Sequence, residues 1–132
     1  MRLARLSTIV STATAVLLLL ASCSKPKEVD YVKLKMVDNL LNDPETRKPF
    51  TGISRDFHPN GKIKSEFPVK DGLFHGTVKE WYANGKPYAE TEYVNGERTG
   101  RNMEWTEAGL PYQERVYDKD RIVSEKKFET GK

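Results

Sequence analysis

Three glutamates, Glu66, Glu90 and Glu114, recur at intervals of 24 residues. A column of carboxylates could bind cations or a basic partner, or supply the acid and base of a glycosidase. On a sheet, positions one interval apart lie two strand spacings apart, roughly 9–10 Å, at the wide end for an inverting carboxylate pair. Two points count against catalysis. Arg55 and Lys79 are placed to face Glu66 and Glu90 as cross-strand partners, and a catalytic pair is needed once rather than three times. The histidines, His58 and His75, occupy different positions of the interval and lack neighbours at metal-ligand or nucleophile spacing. No catalytic residue, metal site or cofactor is assigned. The candidates that remain are aromatic: Phe57, Trp81 and Trp105 share the same interval, and Tyr88 and Tyr112 follow the two tryptophans. Rigid aromatics rimmed by charge serve protein-binding hot spots and sugar-stacking platforms alike. The alternative is that they form the buried side of the fold, since large aromatics are highly buried on average.

The interval extends well beyond these residues. Gly52, Gly76 and Gly100 fall in register, as do Gly61, Gly85 and Gly109, and Val69, Tyr93 and Tyr117. Gly72 and Gly96 match Asp120; Phe50, Phe74 and Ile122 match, with Arg98 as the exception. A partial fourth unit, "EKKFETG", repeats the spacing of "ETEYVNG". Such periodicity marks a repeat architecture. Asn60-Gly61, Asp71-Gly72, Asn84-Gly85 and Asn95-Gly96 read as two-residue type I′ hairpin loops, separated by strands of roughly 8–10 residues. Pro68 lies deep in its strand and predicts a bulge or local break. The fold class is therefore all-β: an antiparallel meander of stacked β-hairpins in one curved sheet.

Those turns set a register. Trp81 is expected opposite Tyr88, Phe57 opposite Lys64 and Trp105 opposite Tyr112. Further from the turns, Arg55 faces Glu66, Lys79 faces Glu90 and Met103 faces Glu114. One face thus carries the aromatic and glutamate rows. The other collects Ile63, Phe67, Val69, Phe74, Val78, Tyr82, Ala89, Tyr93, Tyr117 and Ile122, mixed with Asp56 and Glu80. Before the repeats, 29–49 reads as a strand through "YVKLKMV" with a turn at Asp38-Asn39, then an irregular loop. A short helix from Val29 to Leu41 fits the spacing of Val29, Val32, Met36 and Leu40 as well.

The first 22 residues have the layout of a secretory signal: Arg2 and Arg5, an apolar run diluted by Ser and Thr, then small residues. "LASC", ending at Cys23, resembles the lipobox of bacterial lipoproteins. That resemblance implies cleavage before Cys23 and acylation of its thiol, hence a membrane anchor. Cys23 is the sole cysteine, so lipidation leaves neither a disulfide nor a Cys-based zinc site. Residues 24–28 read as a polar tether, and Ser24 after the cysteine implies the outer membrane, facing the periplasm. Removing the signal takes two of the 22 basic residues and none of the 19 acidic ones, so the mature charge is near +1. Basic and acidic residues are interleaved, which disfavours nucleic acid as a partner.

"PFTGISRDFHPNGKIKSEF" and "HGTVKEWYANGKPYAETEYVNGERTG" resemble the variant MORN repeats of bacterial proteins, over about 49–131. The third copy departs, with Ala108 for the turn Asn and Lys119-Asp120 for Asn/Asp-Gly, which weakens the turn signals there. The resemblance implies stacked hairpins and a binding or scaffolding role, with no active site to carry over. It also implies an antitoxin-like relation. The expected function is non-enzymatic: a lipid-anchored envelope protein whose sheet binds a protein partner or cell-wall glycan. The alternative is an antitoxin or immunity-like protein that neutralises a cognate toxin by binding. Four segments are expected: the signal at 1–22, lipidated cysteine and tether at 23–28, an N-terminal strand and hairpin at 29–49, and the repeats at 50–132.

Overall fold

The computed structural model describes residues 24–130; the expected signal, 1–22, and the expected lipidation site, Cys23, lie outside them. The strands are β1 (Glu28–Asp30), β2 (Lys35–Val37), β3 (Leu40–Asn42), β4 (Gly52–Phe57), β5 (Ile63–Lys70), β6 (Leu73–Phe74), β7 (Gly76–Trp81), β8 (Pro87–Val94), β9 (Glu97–Trp105), β10 (Pro111–Asp118) and β11 (Arg121–Lys127). One sheet runs β1-β4-β5-β7-β8-β9-β10-β11, with β6 also on β5, and β2-β3 form a separate hairpin. From β4 onward every pairing is antiparallel. The sheet is open, and the all-β meander expected from the repeat is the fold. The parallel pairing of β1 with β4 is an addition. Its three residues carry no alternating pattern that announces a strand.

The turns are of two kinds, in alternation. At Asp71-Gly72, Asn95-Gly96 and Lys119-Asp120 both central residues have positive φ, the type I′ geometry. The third of these forms without glycine, since Asp tolerates the left-handed region better than most residues. At Asn60-Gly61, Asn84-Gly85 and Ala108-Gly109 only the glycine is left-handed, with φ of 80°, 89° and 91°. There the Gly85 N–H donates to the Tyr82 carbonyl at 2.8 Å, and the Tyr82 N–H to the Lys86 carbonyl at 2.9 Å. This is a type I turn closed by a G1 bulge, correcting the type I′ expectation for Asn60-Gly61 and Asn84-Gly85. It also explains why Ala108 is accepted: its position does not require positive φ.

The longer turn moves the register beside it. Lys64, Tyr88 and Tyr112 are skipped by the ladder, so Phe57 faces Ile63, Trp81 faces Pro87 and Trp105 faces Pro111. The three pairs expected next to these turns do not form. Beyond the bulges the expected register returns, with Arg55 opposite Glu66, Lys79 opposite Glu90 and Met103 opposite Glu114. The break expected at Pro68 is present. Opposite it the strand divides into β6 and β7, and the intervening His75 N–H bonds the Pro68 carbonyl at 3.0 Å. The equivalent Glu92 and Val116 also adjoin register shifts. The irregularity therefore belongs to the repeat, and a proline without a donor N–H is tolerated there.

The core lies at the type I′ end of the first repeat. Phe50, 1% exposed, packs with buried Leu34, Leu41 and Val69, and Val29, Tyr31, Phe67 and Phe74 lean against them. The turn at Asp38-Asn39 and the hairpin β2-β3 form as expected, but Tyr31–Lys33 is a 3-10 turn rather than strand. That turn sets the Tyr31 ring 4.7 Å from Phe67, which stacks on Phe74 at 5.2 Å; Phe74 meets Tyr93 edge-on at 5.5 Å. The Leu41 N–H reaches the Gly72 carbonyl at 2.9 Å, so the hairpin sits directly on the first type I′ turn. Lys27 and Glu28, at the end of the expected tether, are held against the folded part. The Lys27 carbonyl accepts the Ile53 N–H, and its ammonium pairs with Asp43. Lys27, with the Thr46 and Glu45 N–H groups, holds the Asp43 carboxyl down to about 2. Along the same face the floor is small and polar: Ser54, Ser65, Thr91, Asn102 and Gln113 are all buried.

Candidate functional site

The three G1 turns stack at one end of the sheet and are tied by side chains that all reach forward. Asn60 Nδ2 donates to the Ala83 carbonyl at 2.9 Å, and Lys62 Nζ to the Asn84 carbonyl at 3.2 Å. One repeat later Asn84 Nδ2 donates to the Glu107 carbonyl at 3.4 Å, and Lys86 Nζ to the Ala108 carbonyl at 2.9 Å. Just before the turn, His58 Nε2 donates to the Trp81 carbonyl and Tyr82 Oη to the Trp105 carbonyl, both at 2.8 Å. The Asn-Gly-Lys motif thus spells a latch onto the following turn. Its third copy reads Thr106, Ala108, Gly109 and Leu110, without those long donors, and no fourth turn of this kind follows among the described residues.

On this frame sit the aromatics. Phe57, Tyr88 and Tyr112 are 45%, 42% and 46% exposed, while Trp81 and Trp105 are half-buried. None is among the buried core residues. The structure does not assemble them into cross-strand pairs. Tyr88 turns instead to Tyr82, with ring centres 5.2 Å apart. The glutamate column is divided as well. Glu66 binds Arg55 at 2.8 Å and Glu114 binds Arg101 at 2.9 Å. Glu90 faces Lys79 in register with no ion pair among the described residues.

A second carboxylate row, Asp56, Glu80 and Glu104, has the same 24-residue interval and is the feature the sequence reading passed over. The period itself was the available signal. The extra residue opposite Glu80 and Trp81 is Tyr88 on β8, and a bulge re-aims side chains of the strand that carries it. Tyr88 thereby meets Tyr82, and with Glu80, Trp81, Ser65 and Lys64 they line one pocket of about 250 Å³. Burial holds the Glu80 carboxyl above its usual range; Lys64 opposes this and Glu104 adds to it.

The MORN repeat variant matches residues 50–71 and 74–95. Each match runs from an aromatic at the type I′ end, Phe50 or Phe74, to the first residue of a type I′ turn, and the same geometry continues through β9 and β10. Among curated proteins the chain is similar to Immunity protein YwqK of Bacillus subtilis (strain 168), 39% identical over 57 residues. That match covers 39% of this chain and 37% of the relative, so the chain spans well under half of that protein's length. No solved structure matches. The period, the two turn types and the matched segments agree: residues 50–95 carry MORN repeats of the variant type, and over part of its length the chain is similar to an immunity protein.

Proposed function

We propose that this chain is a non-enzymatic binding protein that neutralises a cognate protein by holding it on the G1-turn end of the sheet. The single observation that carries this reading is the row of half-exposed aromatics on turns latched to one another. A rigid platform loses little conformational freedom on association, and aromatics supply the contact area of hot spots. The printed role of the partial relative, an immunity protein, supports a protein as the ligand. The leader supports a place for this activity. Signal cleavage before Cys23 and its lipidation would anchor the repeats at the bacterial envelope, on the outer membrane facing the periplasm. The 1–22, 23–28, 29–49 and 50–132 divisions are part of the same proposal.

The test uses the full lipoprotein, tagged and crosslinked in its native envelope, with the captured material identified by mass spectrometry. The expected result is one dominant stoichiometric protein, lost when Trp81→Ala and Trp105→Ala are combined while the β-type circular dichroism persists. Capture of glycan fragments, or of nothing above background, overturns a protein ligand.

A further inference from the structure

The repeat supplies its own controls for Glu80. Asp56, Glu80 and Glu104 occupy equivalent positions one period apart. Asp56 is bound by Lys64 at 3.0 Å and Glu104 by Arg115 at 3.0 Å. Glu80 has no ion pair among the described residues. The position equivalent to Arg115 one repeat earlier is Thr91, which has no charge to offer. One of three carboxylates is therefore left without the cation that its counterparts have.

Its surroundings differ too. Trp81, Tyr82 and Tyr88 wall the pocket around it, and Ser65 forms part of the floor. An aromatic face attracts a cation through its quadrupole, by about 0.5–1 kcal/mol when exposed and more when desolvated. A half-buried carboxylate adds a charge-assisted hydrogen bond. The charged groups around the pocket favour the same sign of ligand. Glu104 and Glu107 both act on its wall, holding the Tyr82 hydroxyl up after burial and Tyr88 have done so. The cation beside the pocket is Lys64, engaged with Asp56, and the nearby His58 has its Nε2 committed to the Trp81 carbonyl. Neither closes on Glu80.

We propose that the Glu80 pocket receives a cationic side chain, an arginine, presented by the protein partner, taking the place that Arg115 holds beside Glu104. This deepens the binding reading above and rests on it for the identity of the donor as a protein. A planar guanidinium suits the site: it can stack on an aromatic wall while donating to the carboxylate.

The probe is N-acetyl-arginine methylamide, titrated into the full chain at millimolar concentration with the citrulline analogue as its neutral isostere. The readout is the indole N–H resonances of Trp81 and Trp105. Trp81 is expected to shift and saturate with the arginine compound alone, with Trp105 as the unmoved internal control. Glu80→Gln should weaken the response at least tenfold while the remaining spectrum stays dispersed. Tyr88→Ala, at an exposed position, should weaken it severalfold. An equal response to citrulline, no shift at Trp81, or full binding by Glu80→Gln would overturn the site. The crosslinking experiment separates the two claims. If Glu80→Gln captures the same partner at the same yield, the pocket assignment fails and the binding reading stands. If no protein is captured but the arginine probe still binds in a Glu80-dependent way, the site stands and the protein-ligand reading fails.

Discussion

The two ends of the sheet join the same repeats by different chemistry. At the type I′ end the link common to all three turns is backbone: the N–H of Gly72, Gly96 and Asp120 donates to the carbonyl of Phe50, Phe74 and Arg98, at 2.8–2.9 Å, with side-chain bonds of Thr51 and of the Arg98–Asp120 pair added at two of them. At the G1 end the link is side chain, through His58, Asn60, Lys62, Tyr82, Asn84 and Lys86. A backbone link makes few demands on residue type, so Lys119-Asp120 can stand where Asn-Gly stood. A side-chain link depends on residue type, and it lapses at Ala108-Gly109, which no further turn of this kind follows among the described residues. The type I′ end carries the apolar core; the G1 end carries the exposed aromatics and the carboxylate pocket. The apolar core and the proposed recognition surface thus lie at opposite ends of the same strands.

That separation can be broken most forcefully at the core. Phe50→Ala should cost about 3–5 kcal/mol, read from urea unfolding, because the ring is fully enclosed between the N-terminal hairpin and Val69. The next comparison sets Gly72 against Gly61. Both have positive φ near 80°, so alanine at either carries a backbone penalty of about 1–2 kcal/mol. At Gly61 the new Cβ meets open space, whereas at Gly72 it lies 2.8 Å from Leu40 Cβ. Gly72→Ala should therefore cost about 1–3 kcal/mol more, from overpacking. If the two are equal, the hairpin is not held against that turn.

The latches give smaller effects. Asn84→Ala removes bonds to the Glu107 carbonyl and from the Lys86 N–H, and should cost about 0.5–1.5 kcal/mol. Ala108→Asn, which writes the motif into the last repeat, should change stability by less than the error of the measurement. Equal effects at the two sites would show that asparagine acts within its own turn rather than on the next. A further small effect, at Glu80, has a size set by pH. Its folded carboxyl is raised, so ionisation opposes folding. The cost is absent below the unfolded value of about 4.5 and complete above the raised folded value. Glu80→Gln should be neutral in acid and stabilising at pH 7, by less than about 1 kcal/mol for so solvent-screened a group. Destabilisation at pH 7 would mean that the carboxylate holds the fold together.

Much of this was legible in the chain. The interval of 24 and the alternating turn signals specify the meander, and positions away from the turns keep the expected partners. The differences beside the turns have one physical source: Asn-Gly serves both turn types. The dipeptide at 71–72 or 95–96 is closed in two residues, while at 60–61 or 84–85 the following lysine takes part. The difference displaces Lys64, Tyr88 and Tyr112 from their pairs and brings Tyr88 against Tyr82. The latter could not be read, because the extra residue falls outside strict alternation. The parallel edge strand was hidden for another reason. Three residues docked by backbone bonds and the Lys27–Asp43 pair leave no hydrophobic signature.

The forward reach of the latches has an implication for how such a chain changes length. Each donor ends on the next turn, so one copy of the 24-residue unit makes its demands on its neighbour alone. Duplicating residues 62–85 would add two strands, lengthening the sheet by roughly 9–10 Å, with every new asparagine and lysine finding a carbonyl and the final turn unaltered. The protein is in this sense a ruler graduated in hairpins, on which a binding pocket can be set at a chosen mark.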